Sequence, residues 1–406
     1  MLNTYKLEPV TKERVHELDI IRGFALVGIL LANMMYFATP GIYVQMAGSS
    51  SWTGALDQAA YMFITFFASG KFFPMFSFLF GLGFVVFFQR AMQRSDRPYS
   101  LYLRRIFFLF MFGIIHAFGI WYGDILLIYA LLAPVLLLFY NRKGKTILRW
   151  AFAILLVPTF LLFLGMMALL LGDEASMVHG QEEVQFANEM MEQSLAVYGS
   201  GTVLEIFQQR ALDYTFAFQG YLFMIPTILF MFLLGVYVAK TERYRNLQQQ
   251  KPFLKKVWLT SLAIGLPFNL LFFYSSTQSE LFLSMLAYGI GVMLGGPALC
   301  LFYITSIGLL CQSNVWANML SPLRAVGRLA LSNYLLQSLV CTTIFYSYGF
   351  GLFGQVGPLM WVMIALFLFT SQVILSNIWT KRFRFGPAEW IWRSLTYGKR
   401  QPLLKK

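Results

Sequence analysis

Every one of the 31 Lys and Arg residues except Lys71 and Arg210 lies in a flank of the chain or in an alternate gap between long apolar segments. Only one class of fold accommodates that alternation. Crossing about 30 Å of hydrocarbon takes about 20 apolar residues. Segments of this kind cover 20–38, 71–90, 104–122, 124–140, 147–171, 214–239, 256–274, 281–311, 325–349 and 357–379. Lipid offers the backbone no hydrogen-bond partner, so each segment must satisfy its own peptide groups as a helix. The expected fold class is therefore all-α: a polytopic transmembrane bundle of about ten helices.

The cations orient the bundle. Arg90, Arg94, Arg97, Arg104 and Arg105 follow the second segment, and Arg142, Lys143, Lys145 and Arg149 follow the fourth. Lys240 to Lys256 holds a third cluster, Arg324 and Arg328 follow the eighth segment, and the tail from Lys381 onward is rich in Lys and Arg. The positive-inside rule puts these gaps in the cytoplasm together with Lys6, Lys12, Arg14 and Arg22. An even number of crossings then brings both termini to the cytoplasm. The net charge of +13 is thus a topology signal, and nucleic acid is not an expected partner. A content of 58% hydrophobic and 12% charged residues agrees with a lipid environment. Cys300, Cys311 and Cys341 lie in apolar stretches without metal spacing, so neither a disulfide framework nor a metal site is expected. The apolar run from Ile20 to Ala38 exceeds a signal-peptide core and is read as the first helix.

Three regions follow: a five-helix half over 1–171, an acidic extracytoplasmic loop over 172–213, and a second five-helix half over 214–406 with a basic tail. The loop carries Asp173, Glu174, Glu182, Glu183, Glu189, Glu192, Glu205 and Asp213 against Arg210. Its middle, Gln181 to Val197, reads as a polar amphipathic helix; it serves as a connector or as a lid over an outward site. No internal repeat relates the halves. Two places break the regular pattern. The stretch Asp57 to Gln89 is too long for one straight crossing and contains Pro74, so Asp57 to Gly70 is expected as an interfacial or re-entrant piece, with Lys71 at the break. Gly295, Gly296 and Pro297 predict a kinked or broken eighth helix.

Titratable groups inside a bilayer cost several kcal/mol unless paired or wet, which makes each a functional candidate. His116 is the one histidine in a span, about 17 Å along its helix from Arg105. Asp124 closes the WYGD connection after it, so a tight hairpin can fold the carboxylate back onto the imidazole, the usual support of a general base. The alternative is an imidazole that only ties neighbouring helices together. Asp19 and Arg22 share a helical face near the inner surface, as an anchoring ion pair or as part of a site. Asn33, further out on the same helix, can donate to a developing oxyanion or to a neighbouring carbonyl. Ser332, Asn333, Tyr334, Gln337 and Ser338 form a polar stripe that either joins helices or lines a cavity. P-loop, GxSxG, HExxH and dinucleotide fingerprints are absent, which argues against ATP-driven transport and zinc proteolysis.

Five strings in order, ELDIIRGFALVGILLAN, GKFFPMFSFLFGLGF, GIIHAFGIWYGDILLIYAL, GRLALSNYLLQS and FGPAEWIWRSLTYGK, resemble the YeiB-like family of bacterial membrane proteins over nearly the whole chain. The first helix also resembles that of membrane acyltransferases such as heparan-sulfate acetyltransferase, OpgC-like succinyltransferases and O-antigen acetylases. Those proteins share an Arg, ten residues and then His or Asn, matched here by Arg22 and Asn33. The departure is Asn33 at a position that is histidine in the O-acetylase branch.

This resemblance implies transfer of an acyl group from a cytoplasmic acyl-CoA to an extracytoplasmic acceptor at the bacterial cell membrane. Its expected machinery is His116 as general base or acyl carrier, Asp124 as its orienting group and Asn33 as oxyanion donor. Arg22, Arg104 and Arg105 would hold the donor phosphates. Acyl-CoA would be a co-substrate, with no permanently bound cofactor. The partners would be the bilayer and a small-molecule, glycan or lipid acceptor, and a homodimer is compatible. A secondary transporter with a His116/Asp124 proton relay is the alternative from a different class.

Overall fold

The computed structural model describes residues 15–47, 52, 54–170, 175–275 and 289–405, without the side chains of 169–170 and 175–181. Lys6, Lys12, Arg14, Asp173, Glu174, the 281–288 part of the eighth segment and the side chain of His179 lie outside the described residues. "Inner" and "outer" below follow the charge assignment. Among the described residues the chain is helical apart from turns and a single antiparallel bridge between Phe383 and Leu404.

Among the described residues, eight helical segments are long and apolar enough to cross a membrane: His16–Ala38, Ala55–Arg94, Pro98–Ile120, Gly144–Ala168, Val203–Lys240, Lys251–Ser275, Gly291–Leu310 and Pro358–Arg382. Two shorter apolar helices, Leu126–Tyr140 and Ala330–Phe345, occupy the remaining two expected segments. The result is a polytopic helical bundle. In chain order the elements are α1 (His16–Ala38), α2 (Gly41–Met46), α3 (Ala55–Phe67), α4 (Phe72–Arg94) and α5 (Pro98–Ile114), which runs into a π-helical turn at Ile115–Ile120. Next come α6 (Leu126–Leu132), α7 (Leu136–Tyr140), α8 (Gly144–Leu170), α9 (Ala175–Ser200), α10 (Val203–Lys240) and α11 (Lys251–Ser275). A second π-helical turn, Gly291–Gly295, leads into α12 (Gly296–Leu310). The chain closes with α13 (Asn314–Met319), α14 (Leu323–Arg328), α15 (Ala330–Phe345), α16 (Pro358–Arg382) and α17 (Pro387–Tyr397).

The polar part of the outer loop forms α9, in agreement with the amphipathic pattern there. A capping box starts α10: Glu205 N donates to Thr202 Oγ1 at 3.3 Å and Thr202 N donates to Glu205 Oε2 at 2.7 Å. With 38 residues, α10 runs about 57 Å and overshoots the hydrocarbon, so its first turns stand in the outer layer. It crosses α4 closely because each helix supplies a glycine. A Cβ at Gly81 would lie 2.0 Å from the Phe232 carbonyl oxygen, and one at Gly235 2.1 Å from that of Phe78. Close backbone approach through small residues is how helices associate where lipid is as apolar as the side chains. On the other side α1 packs against α14, α15 and α16.

Both expected breaks are present, and they meet. The chain turns at Gly70, where φ is +79°, between α3 and α4, and the last carbonyls of α3 find three separate donors. Lys71 Nζ donates to Thr65 O at 2.8 Å, Asn269 Nδ2 to Phe66 O at 3.1 Å and the Tyr303 hydroxyl to Phe67 O at 3.2 Å. Gly296, at the end of the second π turn, sits on the same bend: a Cβ there would lie 2.4 Å from Gly70 O. A helix that ends inside a bundle must have its terminal carbonyls satisfied by protein. Buried Lys71 does this at the positive-charge-favouring end of α3.

Much of the polar stripe on α15 serves packing. Asn333 Nδ2 donates to Val326 O and Ser376 Oγ, Gln337 Nε2 donates to Leu26 O and Gln372 Oε1, and Gln372 Nε2 donates to Asn333 O. These bonds tie α1, α15 and α16 together. Ser332 donates to Glu389 of α17, whose carboxylate also accepts the Leu331 and Ser332 backbone N–H groups at the start of α15.

Candidate functional site

The outer half of the bundle contains a three-residue relay drawn from two remote segments. His116 sits in the π turn that ends α5. There Trp121 N donates to His116 O at 2.8 Å, an i to i+5 bond that widens the helix where the imidazole projects. The chain reverses through WYGD, and Asp124 returns to the imidazole with Oδ2 at 3.1 Å from His116 Nδ1. The same carboxylate accepts the backbone N–H groups of Leu126 and Leu127, both at 3.1 Å, so the start of α6 holds it in place. The third member comes from α15: Ser338 Oγ lies 2.8 Å from His116 Nε2. All three side chains are buried, at 1% exposure or less.

The Ser338 hydroxyl also lies 3.4 Å from the carbonyl oxygen of Tyr334, a second acceptor for its proton. With Asp124 as a carboxylate the matching tautomer has Nδ1 donating to Asp124 and Nε2 accepting from the Ser338 hydroxyl. Hydroxyl, imidazole and carboxyl then stand in one hydrogen-bonded row, the order of groups found where a serine is activated. The walls are aromatic. The Tyr334 ring lies 4.9 Å from the imidazole, and the Trp121 ring approaches it edge-on at 6.3 Å while stacking on Phe37 of α1 at 3.9 Å. The Trp121 indole N–H is buried and, among the described residues, has no hydrogen-bond partner. Orphaned donors of this kind are uncommon in folded proteins and call for an explanation.

The expected residues divide into groups. His116 and Asp124 converge, as the short hairpin predicts. Asn33, one turn before Phe37 on the same face of α1, is half-buried and is not among the hydrogen-bond partners of the relay. Arg22 is held by Asp19, Nη1 to Oδ1 at 3.1 Å, with Asp19 buried. Arg105 lies over the ring of Trp392 at 3.7 Å and that of Phe87 at 4.8 Å, while Trp392 Nε1 donates to Arg105 O. Arg22 of α1 and Arg393 of α17 are within electrostatic reach of Arg105, which makes an inner basic cluster drawn from three helices, with Arg105 on the helix that carries His116. Arg104 is exposed and lies against Gly398. Lys71, Ser332, Asn333 and Gln337 take the capping and packing places described above, and their side-chain bonds go to groups other than the relay.

Two participants escaped the sequence reading. Ser338 was visible only as a member of the polar stripe, and Trp121 only as part of a connection. The available signal for Ser338 was its position next to Gln337 and one turn after Tyr334, on a helix carrying several polar groups. Nothing in that stripe specifies which member meets the histidine.

Comparison with known proteins extends over the whole chain. Residues 238–399 match the family described as "Protein of unknown function (DUF418)". The chain is 40% identical to the uncharacterized protein YxaH of Bacillus subtilis (strain 168), covering 98% of each. It is 30% identical to an uncharacterized 39.9 kDa protein in the amylase 3' region of Bacillus acidopullulyticus, covering 98% of this chain and 99% of that one. It is 27% identical to the uncharacterized protein YeiB of Escherichia coli (strain K12), covering 97% and 99%. No solved structure matches. Similarity sustained from end to end at this level has one consequence: the chain belongs to the YeiB-like family.

Proposed function

We propose that this protein is a bacterial plasma-membrane acyltransferase that moves an acyl group from a cytoplasmic acyl-CoA to an acceptor on the outer side. The observation that carries the reading is the contact chain Ser338 Oγ, His116 Nε2, His116 Nδ1, Asp124 Oδ2, at 2.8 and 3.1 Å inside an apolar shell. His116 takes the hydroxyl proton as Ser338 Oγ attacks the thioester carbonyl. The carbon–sulfur bond breaks, the thiolate takes that proton from His116, and CoA leaves as the free thiol. The acyl group remains on Ser338 as an ester. His116 then deprotonates an acceptor hydroxyl, which attacks the ester carbonyl, and Ser338 recovers its proton as the acylated acceptor departs. Asp124 keeps the imidazole in the required tautomer and stabilises the imidazolium. The Trp121 indole N–H supports oxyanion stabilisation better than Asn33 does, because it is buried beside the imidazole and unpartnered. The basic cluster of Arg22, Arg105 and Arg393 lies about 17 Å below His116 along α5, a gap that an extended pantetheine arm can bridge from phosphates held at the inner surface.

Incubation of purified protein with radiolabelled acetyl-CoA tests this. Label is expected on Ser338, located by peptide mass spectrometry, and is expected to be lost in Ser338→Ala and His116→Ala. Failure of the folded wild-type protein to bind or turn over acetyl-CoA at millimolar concentration would overturn the reading.

One observation favours a second reading, a secondary transporter. The break at Gly70–Lys71 packs against the π turn at Gly291–Gly295, and interrupted helices facing each other at mid-bundle are what rocking mechanisms use. That reading requires solute flux in liposomes driven by a proton gradient and impaired by Asp124→Asn.

A further inference from the structure

The outer layer contains a second set of buried polar groups, centred on Arg210. This guanidinium is 4% exposed, near the outer end of α10. Nη1 donates to Phe118 O at 2.9 Å, and Phe118 belongs to the π turn that carries His116. Nε is buried and, among the described residues, has no hydrogen-bond partner. Arg210 has no ion-pair partner within 4.0 Å among the described residues. The nearest candidate, Asp213, already accepts the Tyr43 hydroxyl at 2.7 Å, the Tyr198 hydroxyl at 2.6 Å and Gln209 Nε2 at 2.8 Å. One turn further along α10, Tyr214 packs its ring 4.9 Å from Phe118, and its hydroxyl is also buried without a partner.

We infer that Arg210 and Tyr214 form the binding site for an oxyanion group, phosphate or carboxylate, on the acceptor, and that the acceptor is therefore an anionic hydroxyl compound of the outer face. This rests on the acyltransferase reading for the word acceptor; the oxyanion site itself rests on geometry alone. The Nε edge of a guanidinium is a planar donor edge that matches two oxygens of a carboxylate or phosphate. A buried guanidinium with that edge unused is costly unless a ligand completes it. Another edge is anchored to Phe118 O, two residues after His116 on the π turn, so the guanidinium is fixed to the same turn that carries the imidazole. An acceptor held there by its charge would bring a neighbouring hydroxyl toward the relay, which converts a bimolecular encounter into a positioned one.

The test uses detergent-solubilised full-length protein, with inorganic phosphate, acetate and a short-chain phosphatidylglycerol as separate probes, read by thermal unfolding at constant ionic strength. Phosphate at ten times its dissociation constant is expected to raise the wild-type midpoint by about 1–3 °C. Arg210→Lys, which keeps the charge but loses the two-donor edge, is expected to lose the shift, and Tyr214→Phe to weaken it. A response to the lipid alone would identify a headgroup as the source of the oxyanion, whereas a response to phosphate or acetate would identify a soluble anion. A folded wild-type protein indifferent to all three probes, or an Arg210→Lys variant with an undiminished shift, overturns the inference. If Arg210→Lys does not fold, Tyr214→Phe decides the matter by the same comparison. Acetyl-CoA labelling of the wild type separates the two claims. Absence of label with an intact phosphate shift sinks the acyltransferase reading and leaves the site; label without any shift does the reverse.

Discussion

A serine hydroxyl is a weak nucleophile at neutral pH, and in the proposed reaction the group that changes this at Ser338 is the imidazole nitrogen 2.8 Å away. Asp124→Asn leaves the side-chain volume almost unchanged but removes the preference for the Nδ1–H tautomer. The rate of CoA release per folded molecule is expected to fall by about 10²–10⁴-fold, a far larger effect than the modest drop in thermal midpoint from the acceptor oxygen that Leu126 or Leu127 N–H loses. A relay that only ties helices together would give the opposite pattern, with stability lost and turnover per folded molecule unchanged. Trp121→Phe keeps a ring against Phe37 and deletes the orphaned N–H; kcat is expected to drop by about 10²–10³-fold, with acetyl-CoA binding in calorimetry retained. The part of this site that could be read from sequence is the part made locally. His116 and Asp124 are eight positions apart across a four-residue connection, so their meeting needed only a hairpin. Ser338 is 222 positions from His116, and its selection over Ser332, Asn333 and Gln337 depends on how α15 is rotated against α5. A polar stripe does not encode that rotation. Arg22 and Arg105 divide in the same way: Asp19, three positions before Arg22, is legible as its ion-pair partner, whereas Trp392, 287 positions from Arg105, is not.

At the scale of elements, local chemistry predicted where helices begin, end and break better than what they touch. Gly70, Pro74 and the Gly295–Pro297 run announced interruptions, yet their mutual packing needed the tertiary structure. Lys71 reads from sequence as a misplaced cation; in the fold it caps α3. Lys71→Met would leave the Thr65 carbonyl buried and unpaired, so a loss of about 1–3 kcal/mol in unfolding free energy is expected. The glycine crossing is equally specific. At Gly235 an added Cβ would meet backbone that cannot rotate away, so Gly235→Ala is expected to push α10 off α4 and cost about 1–3 kcal/mol. The α15–α17 junction supplies a pH dependence. Burial holds the Glu389 carboxyl above its ordinary value of 4.5, against the pull of its bonds from Ser332 and Leu331. The folded protein therefore binds this proton more tightly than the unfolded chain does. The contribution is complete below pH 4.5 and is lost as pH rises through the raised value. The midpoint advantage of wild type over Glu389→Gln is expected to shrink over that interval, measured by thermal unfolding at successive pH values.

Across the whole molecule, alternating cations and segment lengths carried the architecture, because both respond to the bilayer and not to any particular neighbour. The two short apolar helices, Leu126–Tyr140 and Ala330–Phe345, are where that simple rule is weakest, and they supply Asp124's capping partners and Ser338. Shortness suits them to a place in the bundle where a π turn and an outer polar layer take up the remaining depth. Orientation then governs the chemistry, since the proposed donor cluster must lie inside and Arg210 outside. Single cysteines at Lys143 and Lys399 should react with a membrane-impermeant maleimide only after the cells are opened, and one at Glu189 in intact cells. The native thiols interfere little: Cys300 and Cys341 are buried, and burial raises the Cys311 thiol to about 11, far from its reactive form at neutral pH. Labelling of Lys143→Cys from outside intact cells would invert the bundle, place Arg22 and Arg105 on the face that acyl-CoA never reaches, and leave the proposed direction of transfer without a donor.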